Sequence, residues 1–196
     1  MLGTQVRPAL EIRAARPEDD EERVGLFLRG LSRETLAQRF FVGLGVPGAG
    51  LVRAMVARDE RRDALLALHG DVVIGHAMSH LSASRLSTSR LSTSHLSASL
   101  SADGAPGVEA EIAVVVDDRW QGLGVGSLLV RTLLRRASVR GAVVVGMDVL
   151  AGNRRVLAMV RRAWPSATIT ATGTSVEIKA PLAFAEQGSV GSPLTM

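Results

Sequence analysis

The chain of 196 residues contains no cysteine and no tyrosine, and its only lysine is Lys179. The missing cysteine excludes disulfides, thiolate metal sites, iron–sulfur clusters and a cysteine nucleophile. Aromatic residues make up 3% of the chain, too few for a base-stacking platform. No run of 18 or more apolar residues is present, so no transmembrane helix is expected. The first twenty residues lack the apolar stretch of a secretory signal, and a cytoplasmic location is expected. What is present is a hydrophobic fraction of 46% against 21% charged residues, enough for a packed core. The net charge is +4 and almost wholly arginine. The arginines are scattered in short pairs, such as Arg61–Arg62 and Arg161–Arg162, which argues against a nucleic-acid surface.

Alternation over 10–15 predicts a strand. Pro17, followed by Glu18-Asp19-Asp20-Glu21-Glu22, opens a helix that runs to about Leu31. Ser32 is a second N-cap, with a helix to about Phe41. Residues 43–50 are glycine-rich and predict a loop, with a helical turn over 51–59. Two apolar runs, Ala64–Leu68 and Val72–Met78, flank His69-Gly70-Asp71 and predict a hairpin. A five-residue repeat follows: LSASR, LSTSR, LSTSH, LSASL. Its leucines form no stripe on a helix and change face along a strand, so 81–107 is expected to be a low-complexity insertion. Beyond it come a strand over 108–116, a turn at 117–120 and a helix over 127–140. A strand over 142–149, a helix over 153–163 ended by Pro165, and a hairpin around Gly173 complete the pattern. Residues 1–9 and 183–196 are expected to be a leader and a loose tail around one domain spanning 10–182.

The most informative segment is the strand, the run Gln121-Gly122-Leu123-Gly124-Val125-Gly126, and the helix behind it. Glycines let a backbone approach a ligand closely. The free N–H groups and positive dipole end of the helix favour an anion there, as in a pyrophosphate site. A tight strand-to-helix turn without a ligand is the plain alternative. A P-loop needs a Gly-Lys-Ser/Thr ending, but Ser127 follows Gly126 with no lysine near. A dinucleotide fingerprint fits Gly122-x-Gly124 and Asp148, but its third glycine would be Ser127. The turn is also too long, and too little chain follows Asp148. His76 and His80 are four apart on a predicted strand, too far to share a metal, and no metal site is expected.

With these motifs the chain resembles the GNAT family of acyl-CoA-dependent N-acyltransferases. That family's loop reads Gln/Arg-x-x-Gly-x-Gly/Ala, matched by Gln121, Gly124 and Gly126. A narrower likeness is to the acetyltransferase domain of Pat-type bacterial protein lysine acetyltransferases. It rests on Ile12-Arg13, Pro17-Glu18-Asp19, Leu31-Ser32-x-Glu34-Thr35, Arg39-Phe40-Phe41, Ala110–Val116 and Asn153-Arg154-Arg155-x-Leu157. The resemblance implies an α/β fold, with a central mixed, mostly antiparallel sheet flanked by helices. It implies acetyl-CoA as cosubstrate and an amine acceptor, a protein lysine or a small molecule.

By the same resemblance, the backbone of 121–126, with Ser127, holds the pyrophosphate. Val114, Val115 and Val116 pair with the pantetheine arm like an added strand. Asn153 contacts the pantetheine or the attacking amine. A lysine-like amine must lose a proton to attack, roughly 4–5 kcal/mol at pH 7, so a base is needed. Glu111 stands where the Pat-like group places its glutamate, directly or through water. Glu109 lies two residues earlier on the same strand face, and two close carboxylates raise one pKa. Both could equally be solvated strand residues. Many family members protonate the leaving thiolate with a tyrosine, which this chain lacks. A thiolate with a pKa of about 8.5 leaves tolerably with water as donor. Trp164-Pro165 stands where the Pat-like group has a glycine and an aromatic. The alternative from another class is a catalytically idle acyl-CoA-binding or interaction domain.

Overall fold

The computed structural model describes residues 10–41, 48–83 and 107–182. The leader, the tail and most of the repeat lie outside the described residues. Twelve elements follow in chain order: β1 (Leu10–Ala14), α1 (Pro17–Gly30), α2 (Arg33–Phe40), α3 (Ala49–Val56), β2 (Arg62–His69), β3 (Val72–Ala83), β4 (Val108–Val116), α4 (Val125–Val139), β5 (Ala142–Leu150), α5 (Arg154–Ala163), β6 (Thr168–Thr172) and β7 (Ser175–Pro181). A 3-10 turn over Asp118–Trp120 sits between β4 and α4. The strands hydrogen-bond in the order β1-β2-β3-β4-β5-β7-β6. Pairing is antiparallel for β1–β2, β2–β3, β5–β7 and β6–β7, and parallel for β4–β5. This is the mixed, mostly antiparallel sheet the resemblance implied.

These elements fall into two compact units, with β4 contributing to both. The first takes the described residues of Met1–His80 and Ile112–Leu133. Its β2 is buried along nearly its whole length, because both faces are covered. Ala64, Leu66 and Leu68 join a core with Val24, Phe27 and Leu28 of α1, Leu36 of α2, and Val52, Met55 and Val56 of α3. On the opposite face Gly75 makes room for α4: a Cβ there would lie 3.0 Å from Leu129 Cδ1 and 3.4 Å from Val125 Cγ1. The start of α1 is fixed by Asp20. Its carboxylate takes both terminal nitrogens of Arg13 at 2.7 Å and the backbone N–H of Arg16 at 2.7 Å.

The second unit takes the described residues of Leu81–Glu111 and of Leu134–Met196. Val145, Val149, Ile178 and Ala180 from β5 and β7, and Leu157, Val160 and Trp164 in and after α5, are buried. α5 is strongly two-faced: Leu157 and Val160 are buried, while Arg154, Arg155, Arg161 and Arg162 are exposed.

Three boundaries differ from the sequence reading. A full helix, α3, begins at Ala49, inside the stretch expected as loop; Val52, Met55 and Val56 bury one side of it. β3 continues past Met78 to Ala83, so Leu81–Ala83 are strand rather than insertion. Ser79 and Leu81 are buried there, at 1% and 7% exposure, and polar Ser79 and His80 mask the strand in the sequence. α4 starts at Val125, so Val125 and Gly126 belong to its first turn and not to a loop.

Candidate active site

In the first unit, β4 delivers the chain to Asp117, whose N–H donates to Ile74 O at 2.9 Å. Asp117 caps the 3-10 turn by accepting from Arg119 N, and its carboxylate also takes the Arg119 side chain. Gln121 ends that turn. Gly122 and Gly124 follow with φ of 81° and 86°, the left-handed region that L side chains avoid. Gly126 is different: it is helical, and a Cβ there would meet Val116 Cγ2 at an ordinary 3.6 Å. Nothing lies within 4 Å of the Cβ direction of Gly124, so its face is open. Leu128 N donates to Gly124 O at 3.0 Å, which makes Gly124 the residue before the first helical turn. The N–H groups of Val125, Gly126 and Ser127 therefore open α4. Leu123 is 68% exposed at the loop tip.

The side chain of Gln121 does not project as a ligand. Its Nε2 donates to Val116 O and to Thr35 Oγ1, both at 3.1 Å. Of the three valines expected to pair with a pantetheine arm, Val115 is buried in the core, and the carbonyl of Val116 is engaged by Gln121. Val114 is half-buried. The register of β4 against β5 runs over Val108–Glu111.

Sequence reading missed the partners of this loop. Asp118 Oδ2 accepts from Ser32 N at 3.0 Å, and Oδ1 accepts from the hydroxyls of Ser32 and Thr35, both at 2.7 Å. Burial pushes the Asp118 carboxyl up, but these three donors outweigh it and hold its pKa below the ordinary value. The Ser and Thr lie 86 and 83 positions from Asp118 in sequence, beyond any local signal. His69 was read only as a turn residue. Its ring lies 4.7 Å from that of Trp120, tilted by 48°. Val72, Arg119 and Leu123 flank the pair in a shallow depression.

In the second unit, Glu111 is exposed and Glu109 is half-buried on the same face of β4. Glu109 has its own partner: Oε2 accepts from Lys179 Nζ on β7 at 3.1 Å. Glu177 Oε1 lies 3.5 Å from the same ammonium. Burial draws the Lys179 pKa down, and the two carboxylates more than offset it, so the ammonium is held above its ordinary value. Gly146 of β5 makes this pairing possible, since a Cβ there would collide with the Glu109 carboxylate. Asn153 caps α5, its Oδ1 accepting from Val156 N at 3.2 Å. His76 is fully buried with Nε2 2.8 Å from Met55 O, and His80 is exposed. Among the described residues no helix is long and apolar enough to cross a membrane.

Comparison with known proteins agrees with this arrangement. The sequence profile of the Acetyltransferase (GNAT) family matches residues 33–163, more than half of the chain. No curated protein matches the sequence. The fold is similar to the GNAT domain of Streptomyces lividans PAT, at a TM-score of 0.69 and 22% identity over 88% of this chain and 90% of that one. It is similar to yncA of Salmonella typhimurium, solved with its cofactor acetyl-CoA, at 0.61 and 17% over 94% and 99%. It is also similar to an aminoglycoside acetyltransferase from an uncultured soil sample, solved with sisomicin, at 0.57 and 16% over 84% and 93%. At these identities the neighbours speak for the fold alone. The family profile goes further, and with the glycine loop it spans, the chain belongs to the GNAT family of acyl-CoA-dependent N-acyltransferases.

Proposed function

We propose that the protein transfers an acetyl group from acetyl-CoA to a primary amine, with a protein lysine as one acceptor class. The observation that carries this reading is the glycine loop: Gly122 and Gly124 in the left-handed region, an open face at Gly124, and three helix-opening N–H groups behind it. Such a cradle suits a pyrophosphate, because backbone donors and the helix dipole both favour negative charge. The backbone of 121–126, with Ser127, would hold that group. The β4 backbone at Val114 and Val115, past the end of the β5 register, would hydrogen-bond the pantetheine amides. The carbonyl of Val116 already accepts from Gln121 Nε2. One ring face of the tilted His69–Trp120 pair, beside Leu123 and Arg119, would be the surface on which an adenine base stacks.

The thioester supplies the activated acyl carbon. The amine nitrogen bonds to that carbon, the carbon–sulfur bond breaks, and the amine loses a proton. Glu111 is the proposed acceptor of that proton, directly or through one water. Its exposure leaves it open to an incoming amine, whereas Glu109 is committed to Lys179. Glu109 then acts as a fixed neighbouring charge and not as a second base. The thiolate takes a proton from water. Asn153, which the resemblance places at the acceptor region, is held there by its own bonds: its backbone N–H donates to Leu150 O at 2.9 Å and its Oδ1 accepts from Val156 N at 3.2 Å.

An idle acyl-CoA-binding domain is the second reading, favoured by the lack of any tyrosine to serve as acid. Calorimetric titration with acetyl-CoA, paired with turnover on an amine panel, separates the two. For the enzyme, Glu111→Gln keeps acetyl-CoA binding and loses turnover by about 10²–10⁴-fold, the range of a general base. Binding without turnover in the wild type, across lysine peptides, polyamines and aminoglycosides, would favour the idle domain. Gly124→Glu abolishes binding under either reading; binding that survives it would remove the loop from the site.

A further inference from the structure

We propose that Thr35, together with Ser32 and Asp118, is a positioning residue for the glycine loop. Through it a one-way hydrogen-bond relay from Gln121 to Asp118 sets the loop's conformation. The proposal rests on the reading of that loop as the acetyl-CoA pyrophosphate site.

Donor and acceptor chemistry fixes the direction of the relay. An ionised carboxylate only accepts. The single hydroxyl proton of Thr35 is therefore used at Asp118 Oδ1, 2.7 Å away. Thr35 Oγ1 then has only lone pairs to offer Gln121, and it receives the Nε2 end of that amide at 3.1 Å. The second proton of Nε2 goes to Val116 O. Turning the amide over would set Gln121 Oε1 against two acceptors at once. The side chain thus has one permitted orientation, and it ties the entry of the loop to the end of β4.

The burial pattern supports a role beyond capping. Ser32 alone suffices to cap α2, since its Oγ accepts from Thr35 N at 3.1 Å. Thr35 is 8% exposed while Asp118 and Gln121 at the ends of the relay are exposed, so it is the central hydroxyl that is shielded from water, where its charge-assisted bond is strengthened. Next in the chain stand Gly122 and Gly124, which carry the most backbone freedom of any residue type. A loop that gains flexibility from two glycines holds one shape only if something outside it restrains it. In this unit the restraint comes from the first turn of α2.

Thr35→Val keeps the shape and removes the hydroxyl, whereas Thr35→Ser keeps the hydroxyl. Two readouts are taken: amide hydrogen exchange across 121–126 without ligand, and the acetyl-CoA dissociation constant. Thr35→Val is expected to speed loop exchange several-fold and weaken acetyl-CoA about tenfold, the factor carried by about 1.4 kcal/mol. Thr35→Ser is expected to stay near wild type in both. Asp118→Asn, which removes the charge but not the size, is expected to fall between them. Thr35→Val with wild-type loop exchange would overturn the relay, whatever happens to its melting temperature. Faster loop exchange in a protein that binds no acetyl-CoA even as wild type would leave the relay standing and overturn the proposed substrate.

Discussion

Glu109 reaches over Gly146 to place its carboxylate 3.1 Å from the ammonium of Lys179, so that one glycine on β5 lets residues of β4 and β7 form an ion pair. A methyl at position 146 would run into the carboxylate, which is the movable end of its side chain. Gly146→Ala is therefore expected to displace Glu109 rather than unfold the sheet. Lys179 is 41% exposed, and water screens the pair, so the loss is about 0.5–1 kcal/mol. Thermal melts of Gly146→Ala, Lys179→Met and the double variant check this. The double variant should be no worse than Lys179→Met by more than the strain of the new methyl; fully additive losses would sink the idea.

The three motif glycines are not equivalent. Gly124→Ala places a Cβ on a residue with φ of 86°, at a cost of about 1–2 kcal/mol, and should weaken acetyl-CoA binding. Gly126→Ala adds a methyl with ordinary contacts inside a helix and should be neutral or up to about 1 kcal/mol stabilising. Urea midpoints and acetyl-CoA titrations of both variants test the contrast. Equal damage from the two would mean that φ does not decide the matter.

His76 is an acid-side liability. Burial, aided by the nearby charge of Arg39 and opposed by the bond to Met55 O, lowers its pKa to about 4. The unfolded chain, with a histidine pKa of about 6.5, binds more protons between those values. Stability should therefore fall as pH drops from 6.5 towards 4, by on the order of 3 kcal/mol from this group alone. His76→Gln, which retains a donor for Met55 O, should flatten that slope. A slope unchanged in the variant would assign the effect elsewhere.

Asp20 works in a lower window. Its bonds to Arg13 lead, with the Arg16 N–H in support, and together they overcome burial and lower its pKa. The stability it adds is present above the unfolded carboxyl value of about 3.9 and disappears as pH falls through the folded value. Asp20→Asn should cost about 3 kcal/mol at pH 7, because it strands Arg13, which is only 17% exposed. The gap from wild type should narrow in urea titrations near pH 3; a constant gap would argue against a charge effect.

The sequence carried the parts of this fold that depend on neighbours along the chain. Ser32 as an N-cap, Pro17 with acids behind it, and the strand, glycine loop and helix from 108 are all local patterns. β3 past Met78 was hidden because Ser79 and His80 interrupt its apolar run, and the five-residue repeat that begins at Leu81 has no phase matching a strand. α3 was hidden by the glycines before it. At the candidate site, the glycine spacing was legible but the tethers were not. Asp118 with Thr35, Gln121 with Thr35, and Glu109 with Lys179 join residues 70 to 86 positions apart. No periodicity records which strand lies beside which. Glu109 and Glu111 look alike in sequence; only the placement of Lys179 on β7 gives them different surroundings.

Lys179 has one more consequence. Acyl thioesters react with free amines unaided, and an enzyme that holds one is its own nearest target. Of the 23 Lys and Arg side chains here, every one but Lys179 is a guanidinium, which resists acylation. The one ε-amine is kept as an ammonium by Glu109 and Glu177, with its lone pair bound to a proton. The ion pair that orders Glu109 thus also holds the one lysine of this chain in the protonated form, which does not attack a thioester.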